Sequence, residues 1–259
     1  MSKWKERVFC FGNGESRKEL TTPKNWIKLR LQGITYGCNA FYRDYRPDVL
    51  IARDRGMMHE IYRSGYCKTN VCYFEDWNPL PFYSYELLAK GVNNIDESDK
   101  GDSSTFVMHG AEKDGLIREG EGGQKYWITW VDAMDEVQNI PFAYMDAGPT
   151  TVKLACELEK PEEVYLIGHD LQSPKHINNI YKDTSNYFPS DYPRIFAENW
   201  VNDLGRIFKQ YPNVTFYRVV VPKKRMELLS EEVSEVAAWS EFDNIIHIDV
   251  NDLWKTLDK

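Results

Sequence analysis

No apolar run in this sequence approaches the roughly 18 residues that a membrane-spanning helix needs. Basic charge is scarce: 32 Lys and Arg stand against 40 Asp and Glu, a formal net charge of −8. That balance argues against a protein that coats nucleic acid through a basic face, and leaves room for an enzyme that touches DNA locally. Cysteines are few and odd in number, at positions 10, 38, 67, 72 and 156. Cys10, Cys38 and Cys156 sit in apolar segments, and Cys67 and Cys72 are too isolated from other Cys or His to form a zinc knuckle. Free thiols in a reducing cytoplasm are the expectation. The first residues run straight into a strand-like Val8–Gly12 with no apolar leader, which also points to a cytoplasmic chain.

What is present is ordinary globular composition. Hydrophobic residues at 42% and charged residues at 28% exclude disorder, collagen and coiled coil as the main architecture. A chain of 259 residues can bury a substantial core, here expected as a single α/β domain over 1–259. Aromatics reach 14%, which fits either a Tyr-rich core or a surface that stacks sugars or bases.

Strand and helix signals alternate over the first 76 residues. Arg7–Gly12, Gly33–Cys38, Asp48–Ala52 and Asn70–Glu75 read as strands, and Gly56–Arg63 as a helix. A further helix is expected to start over Ser16–Leu20, where Ser16 and Glu19 fit a capping box. Residues 77–140 read as an irregular insertion, with Glu119–Gly123 as a hairpin turn. Alternation then resumes with a helix over Gly148–Glu159, a buried strand over Glu163–Gly168, a helix over Pro193–Tyr211, and strands over Val214–Val221 and Ile245–Asp249. Residues 170–192 are polar and aromatic without a period, and read as a flexible lid. The fold class is a Rossmann-like, mostly parallel sheet flanked by helices.

In such a sheet, ligands bind off the carboxyl ends of the strands. The residues that follow each strand are therefore the candidates. Gly12-Asn13-Gly14 lets backbone approach a ligand closely, or makes a tight turn with no ligand at all. It is neither a dinucleotide fingerprint, since Arg17 occupies the third glycine position, nor a phosphate-binding P-loop. Asn39 can read a base or ribose edge, or cap a helix. Asp54 can receive a ribose hydroxyl, or pair with a neighbouring arginine. Gly148 and Thr150 open a helix whose N–H groups suit a phosphate. Asp170, His176 and Asp191 can take a proton, while Tyr181, Tyr187 and Lys182 can stabilise a departing phosphate. The bland alternative for 170–192 is an exposed loop rich in Tyr.

Three blocks together resemble the sialyltransferase-like, Rossmann-type superfamily, which includes the 6-hydroxymethylpterin diphosphokinases. They are VFCFGNGESRKEL (8–20), ITYGCNAFYRDYRPDVLIARD (34–54) and AGPTTVKLACELEKPEEVYLIGHDL (147–171), about 60 residues in the order and spacing of that superfamily. The resemblance implies nucleotide contacts by Asn13 and Asn39, with Asp54, Gly148 and Thr150 at the matching strand end and helix cap. It implies catalytic tyrosines and a histidine on the lid; Tyr181 and Tyr187 can replace the phosphate-binding tyrosines, and the family's histidine has no counterpart at a matching position. Gln172 departs from the pattern by standing near where a tyrosine is expected, and after His176 no histidine appears until His247. The segment IGHDL…NNIYKDTSNYF also resembles superfamily members encoded by tailed phages, some linked to glycosylation of hydroxymethylated DNA bases; local basic residues such as Lys223, Lys224 and Arg225 would then meet the DNA.

The expected activity is a metal-independent glycosyltransferase. It would take a nucleotide sugar, with a CMP-type pyrimidine nucleotide favoured. The acceptor would be a hydroxyl on a glycan, a small molecule or a modified DNA base. The alternatives are a magnesium-dependent diphosphokinase acting on a small alcohol, and a nucleotide-binding module without catalysis. Oligomerisation is left open.

Overall fold

The computed structural model describes residues 6–79, 105–109, 116–119, 125–131, 137–142, 145–171, 176–193, 198–220 and 236–258. The chain divides into two compact units, residues 1–51 with 142–259, and residues 52–141.

The first unit holds a parallel sheet. Its strands are β1 (Arg7–Phe11), β2 (Ile34–Cys38), β3 (Val49–Ala52), β9 (Glu163–Ile167), β10 (Thr215–Val220) and β11 (Ile245–Asp249), where β3 leads into the second unit. They lie in the order β11-β10-β9-β1-β2-β3, and every pairing is parallel. Near-continuous apolar runs such as Val8–Phe11 and Val164–Ile167 are what strands covered on both faces require, and these residues are fully buried. Phe9, Tyr165 and Tyr217 are register partners on three adjacent strands. Their rings stack at 5.1 and 4.8 Å, so much of the aromatic content is core.

Helices flank the sheet: α1 (Pro23–Arg30), α3 (Ala147–Glu159), α4 (Glu198–Gln210) and α5 (Val250–Leu257). Helix α3 packs on β1, β2 and β9 and also on α4, and α5 packs on β10 and β11. The architecture is thus α/β and Rossmann-like. The chain runs β1-β2-β3 in one direction, then returns through β9-β10-β11 on the other side of β1. The strand order therefore reverses between β1 and β9, the position where open α/β sheets hold their ligands.

The second unit pairs β4 (Val71–Phe74) in parallel with β8 (Val137–Asn139) and carries α2 (Arg55–Arg63). It also holds a small sheet of β5 (Thr105–His109), β7 (Lys125–Val131) and β6 (Leu116–Glu119), with β6 and β7 antiparallel. Residues 77–140, expected to be irregular, thus contain four strands. Glu119 pairs with Lys125, as a hairpin turn between them requires, and residues 120–124 lie outside the described residues.

Elsewhere the sequence expectations need adjustment. The Ser16–Leu20 segment is a 3₁₀ turn over Glu15–Glu19 with Gly14 at its N-cap position, so the capping box does not form there. The helix expected from Pro193 is described from Glu198. Helices α1 and α5 were not expected at all. Among the described residues, no helix is long and apolar enough to cross a membrane.

Candidate functional site

Two loops cross at the strand reversal. The Gly12 N–H donates to the Ile167 carbonyl at 2.8 Å, and the Gly14 N–H donates to the Gly168 carbonyl at 2.9 Å. A Cβ on Gly12 would lie 2.5 Å from the Gly168 oxygen, and one on Gly14 would lie 2.5 Å from the Asp170 carboxyl. Gly168 itself has φ +72°, a conformation that favours glycine. The glycines are therefore needed for chain-to-chain contact, whatever ligand the loops hold.

Asp170 ties the two loops together. One carboxylate oxygen accepts from the Ser16 N–H at 2.7 Å, and the other accepts from the Ser16 hydroxyl. Burial raises its pKa, while the hydrogen bonds from Ser16 pull the other way. Asn178 adds a further side-chain hydrogen bond to Asp170, and its own Oδ1 accepts from the Glu15 N–H at 2.8 Å. Asp170 is thus a half-buried clamp on the 12–16 loop.

Residues 176–193 lie over this loop. The Ile180 N–H donates to the Asn13 carbonyl at 2.9 Å. The Tyr187 hydroxyl accepts from Asn13 Nδ2 at 3.1 Å and from the Ala40 N–H at 3.3 Å, joining the ends of β1 and β2. Asn13 is only 8% exposed, and its Oδ1 has no partner among the described residues. Asn39, buried beside Ala40, has φ +49° and begins the 3₁₀ turn Asn39–Arg43, so it is not the cap that precedes a helix.

Two arginines complete the arrangement. The Arg17 side chain is fully enclosed, with its guanidinium 4.6 Å from the Phe41 ring centroid and 5.3 Å from that of Tyr181. Its Nη2 donates to the Tyr181 hydroxyl at 2.6 Å, which in turn donates to Asp44 Oδ2 at 2.7 Å. Burial raises the Tyr181 pKa, against the pull of Arg17. Arg43 donates to Thr184 Oγ1 at 2.7 Å and to the Ser185 carbonyl at 3.0 Å. Lys182 pairs with Glu15 at 3.2 Å.

The structure thus brings together Gly12, Asn13, Gly14, Asn39, Asp170, Tyr181 and Tyr187. The remaining candidates stand otherwise. Gly148 and Thr150 open α3, but a Cβ on Gly148 would lie 2.2 Å from the Trp200 ring. The glycine there serves the close approach of α3 and α4. Thr150 is buried, with its hydroxyl on the Met145 carbonyl at 3.1 Å. Asp54 belongs to the second unit, where it is exposed at the N-cap position of α2, while the neighbouring Arg53 pairs with Glu75. His176 and Asp191 are exposed, and His176 bridges to Pro193. Gln172 and the basic Lys223-Lys224-Arg225 lie outside the described residues.

Sequence reasoning missed Arg17, Asp44 and Asn178, and read Ser16 as a helix cap where it is the partner of Asp170. Only Arg17 left a signal, since it occupies the position where a fingerprint glycine belongs. The five cysteines are buried free thiols, and burial pushes Cys10 up and Cys156 up to about 12, which favours the thiol over the thiolate. Among the described residues, no three His, Cys, Asp or Glu stand close enough to hold a metal ion. No protein-family model, curated protein or solved structure matches the chain. The class the chain can be assigned is therefore that of its fold, a Rossmann-like α/β protein.

Proposed function

We propose that the protein is a metal-independent glycosyltransferase that binds a nucleotide sugar at the β1–β9 reversal. One observation carries this reading: Asn13 is buried under Tyr187, and its side-chain oxygen has no donor among the described residues. A nucleobase or ribose donor would satisfy it, with Asn39 on the adjacent strand end as a second amide. Residues 176–193 act as the lid. They exclude water and bring the Tyr181 and Tyr187 hydroxyls to the reacting end of the donor.

In the transfer, the glycosyl carbon–oxygen bond to the nucleotide's phosphate breaks and a bond from that carbon to the acceptor oxygen forms. The acceptor proton passes to a base, and the electron pair leaves with the phosphate. Asp170 holds Ser16 with both oxygens, so it positions the loop. The base is then His176 or Asp191, both exposed on the lid.

The test is thermal denaturation against CMP, CDP, UDP, GDP, ADP and ATP, each with magnesium and with EDTA. A ligand at about one hundred times its Kd adds roughly 2.7 kcal/mol, on the order of 5–10 °C for a chain of this size. A pyrimidine-nucleotide shift that survives EDTA is the expected result. A shift confined to ATP with magnesium would replace this reading with pyrophosphate transfer to an alcohol. No shift with any nucleotide would overturn it.

A further inference from the structure

Arg17 is the least expected group in the first unit. It carries a full charge, is fully enclosed, and presents three nitrogens to its surroundings. Nη2 meets the Tyr181 hydroxyl and, at 3.5 Å, Asp44. Nε and Nη1 are buried and have no acceptor among the described residues. The Asp44 side chain is 40% exposed, so it is a weak, solvent-screened counter-ion. A buried cation with two unmet donors is costly, and apolar residues of similar volume often serve stability as well or better. Stability alone therefore gives little reason for an arginine here.

From this we infer that Arg17 binds the phosphoryl anion of the activated donor; the inference rests on the nucleotide-sugar reading of this site and deepens it. The guanidinium fork matches two phosphate oxygens with its Nε and an Nη. It lies four residues after Asn13, and both residues are covered by the same segment: Tyr187 on Asn13 and Tyr181 on Arg17. Nucleoside recognition and anion recognition thus fall under one cover. The alternative anion position, the first turn of α3, is overlaid by Trp200 at Gly148. In this assignment the phosphoryl group reaches Arg17 while the 176–193 segment is open, and the segment then closes with the Tyr181 hydroxyl on that same group. The Tyr181 hydroxyl and Asp44 hold the guanidinium in the unliganded protein.

The probe is inorganic pyrophosphate, titrated calorimetrically into the full-length chain in the presence of EDTA. The wild type should bind it saturably, and Arg17→Met should weaken binding more than about tenfold, the loss of charge-assisted bonds. Asp44→Asn, at a partly exposed carboxylate, should bind pyrophosphate several-fold more tightly, because it removes the competing negative charge. A purely structural Arg17 would not produce that gain. The assignment is overturned if the wild type does not bind pyrophosphate, if Arg17→Met folds and binds it unchanged, or if Asp44→Asn shows no gain. The Asp44→Asn arm decides the matter should Arg17→Met fail to fold. Nucleotide binding without pyrophosphate binding would remove Arg17 from the site and leave the nucleotide reading standing. Pyrophosphate binding without any nucleotide binding would do the reverse.

Discussion

Gly12 and Gly168 lie on crossing chains, and each would drive a side chain into the other's carbonyl. Gly205, in α4, differs: a Cβ there would meet Trp239 and Phe242 at 3.5 Å or more, an ordinary contact. Gly12→Ala should therefore destabilise the protein by about 1–3 kcal/mol, the usual range for overpacking. Gly205→Ala should be neutral or stabilise by about 0.5–1 kcal/mol through helix propensity. Urea denaturation of the two variants checks both, and equal effects would show that the crossing is not as tight as described. At this scale the sequence was partly legible. The glycine pair and Asn13 stood out because few residue types suit a loop at a strand end. Arg17 was legible only as a defect in a pattern. Its meaning depends on Phe41, Asp44 and Tyr181, which are distant in sequence and meet it only in the folded chain.

Segments 12–17 and 176–193 are held together by identifiable polar contacts. The Tyr187 hydroxyl is the acceptor for two donors, Asn13 Nδ2 and the Ala40 N–H. Tyr187→Phe leaves the ring and removes the acceptor. It should cost about 1–3 kcal/mol for the two unsatisfied donors, and the loss should fall mainly on closure of this segment. Limited proteolysis should then cut within 176–193 several-fold faster, with little change in the global urea midpoint. An unchanged cleavage rate would mean that Tyr187 does not hold the segment.

Strands were the most legible elements, because apolar runs bounded by Gly, Asn or Asp have few other readings. Helices were less so. Helix α1 buries only Trp26 and Leu29 and leaves Ile27 exposed, so no clean apolar period marks it. Its start is set by the Thr22 side chain accepting from the Asn25 N–H and by Pro23 in the first turn. Helix α5 begins directly after β11, where Asp249 ends the strand and caps the helix through the Asn251 and Asp252 N–H groups. A residue that serves two elements leaves no gap for a sequence reading to find. The antiparallel hairpin β6–β7 was legible through its glycine-rich turn, but its parallel partner β5 joins it through pairing that no local signal encodes.

Among the described residues, each compact unit buries a histidine that burial keeps neutral, and these two make stability depend on pH. In the first unit, burial and then Arg218 push His169 down to about 3. In the second, burial and then Arg63 and Arg55 push His59 down to about 3, and its Nδ1 lies 2.7 Å from Thr129 Oγ1. An unfolded histidine titrates near 6.5, so between about 6.5 and 3 the unfolded chain binds a proton that the folded chain refuses. The stability each group contributes is complete above 6.5 and is lost as pH falls below it. From pH 7.5 to pH 5 the loss is about 2 kcal/mol per histidine. Asp170 opposes this: its raised pKa means the folded state holds its proton more tightly, so its contribution is greatest at low pH and declines as pH rises. The net expectation is a protein that weakens steeply below pH 6.5. His59→Gln and His169→Gln should each flatten the dependence by about 2 kcal/mol between pH 7.5 and pH 5, even if they lower stability at pH 7.5. Urea midpoints measured at both pH values for the three proteins supply the comparison. A slope as steep in the variants as in the wild type would place the acid sensitivity in other groups.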